Sequence, residues 1–158
     1  MAYRAFRNIE ASIIDKLKAN LAVDWSDVNI EKTFARIYNL SLPSICVRCG
    51  TTSHDKAELG SSATIRKTQV LIDVFATSDG LKLDLLDYLV DKIKAGFPYY
   101  EYAIANGAVQ TKTLNGRIRV LDIDVTHVNF DQDRDKLDLH DKHRGLITLI
   151  IGLGRLET

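Results

Sequence analysis

The stretch from Ala63 to Gly96 constrains the chain more than any other. In ATIRKTQVLIDVFAT, Val70, Ile72, Val74 and Ala76 fall at alternate positions, so they share one face of a pleated strand. Leu71 and Phe75 take the opposite face with Asp73 and Thr77. This pattern predicts a strand with one face in a core and the other partly covered. Ser78 follows as a helix N-cap, because its hydroxyl accepts a bond from an orphan N–H of the first turn. Asp79 places negative charge at the positive end of the helix dipole. In LKLDLLDYLVDKIKAG, Leu81, Leu85, Leu86, Leu89, Val90 and Ile93 form one stripe, and Lys82, Asp84, Asp87, Asp91 and Lys94 lie largely off it. Gly96 reads as the C′ residue, and Pro98 stops any continuation. A strand leading directly into a helix that packs back on the sheet is the nucleus of an α+β domain.

The chain has 158 residues, 46% of them hydrophobic, which suffices for a single domain, residues 1–158, with a core that needs no staples. The formal net charge is zero, without the basic excess of a dedicated nucleic-acid binder, and such a chain has little self-repulsion to oppose close self-association. Met1-Ala2-Tyr3-Arg4 leads into a mixed polar helix, not the apolar segment of a signal peptide. No run approaches the ~18 apolar residues of a membrane span. Two cysteines three positions apart make no disulfide framework, so a reducing cytosolic context is expected.

Tyr3 to Leu21 reads as a helix with the stripe Phe6, Ile9, Ile13, Ile14, Leu17 and Leu21. Ala22 to Leu42 admits an extended arm, a short strand or a short helix. SICVRCG after Pro43 reads as a short strand, and Thr51 to Ser62 as a polar hairpin loop that returns into the long strand, giving an antiparallel pair. Phe97 to Asn115 gathers Phe97, Tyr99, Tyr100 and Tyr102, with turn signals at Asn106-Gly107 and Asn115-Gly116. Arg117 to Asn129 reads as a strand, with Arg119, Leu121, Ile123 and Val125 on one parity and Ile118, Val120, Asp122 and Asp124 on the other. Phe130 to Lys142 is an acidic loop. RGLITLIIGLG is a last strand apolar on both faces, hence central in a sheet or covered by a partner. The expected fold is α+β: a mainly antiparallel sheet of about four strands, an amphipathic helix packed on it, and an N-terminal helix.

Each candidate for chemistry has a plainer rival. Cys46-x-x-Cys49 with His54 has the spacing of half a zinc site, but on a strand Cys46 and Cys49 point to opposite faces, and no second pair exists. They read as small buried hydrophobes. Asp131-x-Asp133-x-Asp135 opens like a calcium loop, but Lys136 stands where glycine is needed and Lys142 where the bidentate glutamate belongs. His140 and His143 with Asp138 and Asp141 read as charged loop residues before they read as metal ligands. Arg117, Arg119, Arg48, Arg66 and Lys67 form either a basic strip or ordinary cross-strand pairs with the many aspartates. The tyrosines suit base stacking or interface packing. No nucleophile elbow, phosphate loop, dinucleotide fingerprint or zincin helix is present, so the reading is of a non-enzyme with no catalytic, cofactor-binding or metal residue.

The leading amphipathic helix, LPSICVRCG, the polar loop, RKTQVLIDVFATSDGLKLDLLDYLVDKIK, RIRVLDIDVTHVNFD and HRGLITLIIGLG together resemble the tail terminator and tail-completion proteins of tailed bacteriophages. The resemblance is one of element order and hydrophobic pattern from Leu42 on; Ala22–Leu42 and Phe130–Lys142 lie outside it. It implies a small, non-catalytic α+β protomer that assembles into a ring, expected as a hexamer in the virion. Its partners would be further copies of itself, the tail tube protein and the head–tail connector or stopper, with genomic DNA passing the lumen and no cofactor or membrane. Asp131, Asp133 and Asp135 would then keep a tube-facing loop from sticking to phosphates. The rival readings are a small nucleic-acid-binding module, another neck or baseplate protein, and a metal-dependent hydrolase built on His140 and His143.

Overall fold

The structure is a computed structural model that describes residues 3–31, 41–56, 58–60, 62–128 and 143–157. The described elements are α1 (Ala5–Asp24), β1 (Asn29–Glu31), β2 (Ser44–Lys56), β3 (Thr64–Phe75), α2 (Asp79–Ile93), β4 (Phe97–Ala105), β5 (Ala108–Val128) and β6 (Arg144–Glu157). The strands form one curled sheet in the order β1-β2-β3-β6-β5-β4. β1 runs parallel to β2, and every other neighbouring pair is antiparallel.

The expectation of about four strands is therefore corrected: among the described residues there are six. β1 spans three residues, too few to show a period of two, and lies inside the segment that resisted assignment. β4 is the tyrosine-rich segment, and ladder irregularities at Pro98/Tyr100 and Ala103/Ile104 blur its alternation. β5 begins nine residues before the expected Arg117. Asn106 and Gly107 both have positive φ, 53° and 76°, and make the two-residue hairpin turn expected there. Asn115-Gly116, read as a second turn, lies inside β5.

The nucleus follows the pattern closely. Val70, Ile72 and Val74 are fully buried under the helices, and Ser78 caps α2 by accepting a bond from the Leu81 N–H at 3.2 Å. Leu85, Leu86, Leu89 and Ile93 are buried as the stripe requires. Lys82 departs from it: the side chain is buried, with its amine 3.7 Å from Asp79. The turn after α2 ends at Gly96 with φ 80°, two residues past the Lys94 cap and so one beyond the position expected.

β6 is central, between β3 and β5, which explains its apolar faces. Ile147, Leu149 and Ile151 point into the core with Ile45, Val47 and Ile118. Leu146, Thr148 and Ile150 lie half-buried on the second face. In β5 two residues span Val120 to Asp122 against the single step from Ile151 to Ile150, a bulge that reverses the parity. Val120 and Ile123 accordingly both pack on the core, whereas Leu121 is 55% exposed.

Candidate functional site

The hairpin of β4 and β5 carries the features that set this molecule apart from a plain helix-on-sheet domain. β5 divides into two halves. Arg119 to Val128 pairs with β6, while Ala108 to Ile118 pairs with β4. Residues 108–117 are all exposed, including Val109 and Leu114 at 47% and 61%. The first half of β5 is thus an arm that leaves the main sheet.

The outer edge of β4 is closed by α1. The Ser12 hydroxyl accepts the Tyr100 N–H at 3.0 Å and donates to the Tyr100 carbonyl at 3.4 Å. The Asn8 carboxamide oxygen accepts the Tyr102 N–H at 3.3 Å, and the Tyr3 N–H donates to the Tyr102 carbonyl at 2.9 Å. The Tyr102 hydroxyl donates to Asp15 at 2.6 Å. Asn8 and Ser12 are buried, one helical turn apart on the same face, and do for a strand edge what a neighbouring strand would do. On its other flank α1 reaches β2, where the Glu10 carboxylate accepts the Cys49 N–H at 3.2 Å, beside the β2 bulge. α1 therefore links β4, at one end of the curled sheet, to β2, second from the other.

Two clefts line this seam. One, about 260 Å³, is walled by Asp15, Lys16, Ala19, Pro98, Tyr100 and Lys112. The Lys16 amine donates to the Gly96 carbonyl at 2.6 Å, and Arg117 donates to the adjacent Ala95 carbonyl, so both cations cap the end of α2. Burial, then the charges of Arg117 and Lys92, hold the Lys16 amine below its ordinary pKa. The second, about 340 Å³, is lined by Tyr3, Arg7, Ile104, Asn106 and Gly107, with the Arg7 guanidinium 3.9 Å from the Tyr3 ring centroid.

The second face of the sheet holds a buried carboxylate. Asp73 is fully buried; Arg144 donates to one of its oxygens at 2.8 Å and Arg48 to the other at 3.3 Å. The three residues come from β6, β3 and β2, so the carboxylate ties three strands together. Buried Phe75 and Cys46 sit beside it.

The candidates from the sequence are dispersed. Arg48 serves Asp73, Lys67 lies 3.7 Å from Asp55, Arg66 stacks on Phe6 at 4.7 Å and Arg117 caps α2, so four of the five cations have local partners, while Arg119 is exposed. Tyr99 and Tyr102 are buried at 2% and 4% exposure and offer no face to a base. Cys46 and Cys49 take opposite faces, are free thiols, and are pushed up to about 11 and about 12, chiefly by burial. His143 lies 2.8 Å from Asp79. His140, Asp138, Asp141, Asp131, Asp133 and Asp135 fall outside the described residues. Among the described residues no group of three or more His, Cys, Asp or Glu is placed to hold a metal ion, and no helix is long and apolar enough to cross a membrane. Sequence reasoning missed Asn8, Ser12 and Asp73. The one available signal was three polar residues at positions where the local pattern puts them against apolar neighbours.

No family model matches this chain, and no curated protein does.

Proposed function

We propose that this chain is a structural protein that assembles into a ring at the head-proximal end of a bacteriophage tail, capping the tail tube and joining it to the head connector. The observation that carries the reading is the β5 arm, ten successive exposed residues of strand that pair with β4 and not with β6. A ring subunit needs two unlike surfaces that meet heterologously, and an arm reaching beyond the subunit's own core supplies one of them. The exposed apolar side chains Val109, Leu114, Leu121 and Val125 follow the same strand. The element order that resembles tail terminators supports the same reading. A nucleic-acid module is less well supported, because Tyr99 and Tyr102 are buried and Arg48 and Lys67 pair with Asp73 and Asp55.

Light scattering on the purified protein, followed by negative-stain imaging of any large species and by co-sedimentation with tail tubes, tests the proposal. The expected result is a closed ring, alone or on the tube end. A chain that stays monomeric and leaves tubes unbound overturns it.

A further inference from the structure

The two edges of the β4–β5 arm are not equivalent. In an antiparallel ladder, directly opposed residues alternate between pairs that exchange backbone bonds and pairs whose N–H and C=O groups point outward. Tyr100 opposes Leu114, and Tyr102 opposes Lys112. The backbone of Tyr100 and Tyr102 bonds to Ser12, Asn8 and Tyr3, so both pairs are of the outward kind. The N–H and C=O groups of Leu114 and Lys112 therefore point away from β4, along the free side of β5. There β6 pairs only from Arg119 onward, and among the described residues nothing takes its place. The free edge runs for residues 108–117, roughly 30 Å at the rise of a strand.

A second bare stretch lies across the sheet. β1 covers β2 from Ser44 to Cys46, and Glu10 takes the Cys49 N–H. From Gly50 to Lys56 the outer side of β2 has no strand beside it among the described residues, and six of those seven residues are exposed. β2 is second from one end of the sheet and β5 second from the other.

We infer that the occupant of the β5 arm edge is a second copy of this chain, whose β2 edge at Gly50–Lys56 pairs with residues 108–117 and carries the sheet from one subunit into the next. Long bare edges pair readily, and this pairing removes one on each partner. The contact joins unlike surfaces, so it propagates head to tail and closes when the rotation permits. A formal net charge of zero leaves little long-range repulsion against it. The inference rests on the ring reading for its self-association and adds the surface through which it occurs.

The test is amide hydrogen exchange on the full chain across a concentration series, with the mass measured in parallel. In a dilute monomer the Lys112 and Leu114 amides exchange fast while Thr113, paired with Glu101, is protected. On assembly Lys112, Leu114 and the Gly50–Lys56 segment slow by on the order of 100-fold or more. Leu114→Pro removes an outward donor at a site where proline is tolerated, and abolishes assembly of a chain that still folds. An assembled ring whose Lys112 and Leu114 amides stay fast overturns the inference and leaves the ring reading standing. A two-fold dimer protected at β5 alone also overturns it, in favour of arm-to-arm pairing. A chain monomeric at every concentration overturns it as well, since edge pairing needs nothing but a second copy; the ring reading then rests on tube binding.

Discussion

β4 and β5 form one hairpin, yet their outer edges are finished in different ways. On β4, buried Asn8 and Ser12 reach from α1 to the outward N–H groups of Tyr102 and Tyr100. On the first half of β5, the corresponding groups of Lys112 and Leu114 meet no partner among the described residues. Bare edges are hazardous because any exposed strand can add to them. A chain that closes one edge with two buried polar side chains and leaves the next one open for ten residues has an asymmetry that folding alone does not require.

The sheet common to both edges sets the upper scale. Asp73→Ala removes the fully buried carboxylate that Arg48 and Arg144 share. It is expected to cost about 3–5 kcal/mol, read as a lower urea midpoint, the usual range for breaking a buried ion pair. A cost under ~1 kcal/mol would mean that the arginines find equivalent partners. Next comes Ser12→Ala, which removes the hydroxyl without adding bulk and orphans the Tyr100 N–H. The expected loss is about 1–3 kcal/mol. An unchanged midpoint would show that water reaches the β4 edge, and the contrast between the two edges would disappear.

The sequence speaks clearly where a pattern is set by near neighbours along the chain. Val70, Ile72 and Val74 alternate because only one face of β3 meets the helices, and Ser78 announces α2 because its cap is local. β4 and the arm are hard to read for opposite reasons. FPYYEYAIA is nearly all apolar or aromatic and interrupted twice in register, so no period of two emerges. AVQTKTLNGR is exposed on both faces, so burial imposes no pattern on it and Asn115-Gly116 imitates a turn. The α1 seam is invisible for a third reason. Ser12 and Tyr100 lie 88 residues apart, and a serine on an amphipathic helix looks like any polar interruption of its stripe. Asp73 meets Arg144 across 71 residues, a pairing that only the fold can specify.

Cys49 reports on the α1 seam by titration, and Cys46 on the opposite face of β2 shifts in the same direction. Burial pushes both thiols up in the folded chain, Cys46 to about 11 and Cys49 to about 12, whereas in an unfolded chain they ionise at about 8.5. Between those values the native state binds more protons than the unfolded one, so stability falls as pH rises. The contribution is complete below the unfolded pKa and is lost as pH climbs through about 11 to 12. Other groups titrate there, so the measurement is the difference in urea midpoint between the native chain and Cys49→Ala at pH 8 and pH 10.5. The native chain should lose more. Because Cys49 also lies 3.8 Å from the Phe6 carbonyl of α1, its labelling by a thiol reagent should speed up in Ser12→Ala. Unchanged labelling would mean that α1 stays seated on β2 when it loosens from β4.

The smallest expected effect is the sharpest probe of the asymmetry. Leu114 is 61% exposed, and its N–H points along the bare side of β5 rather than into the β4 ladder. Leu114→Pro in the dilute monomer should therefore shift stability by about 1 kcal/mol or less, because proline is accepted at edge positions whose N–H faces solvent. Thr113→Pro, one residue away, removes a donor from the ladder with Glu101 and should cost clearly more. The two variants share a strand and a chemistry and differ only in which side their N–H faces. Equal costs would place both amides in the same environment, and the arm would then have no free edge to offer a partner. Unequal costs in the expected order leave the β5 side as the one part of this hairpin that the chain has not finished by itself.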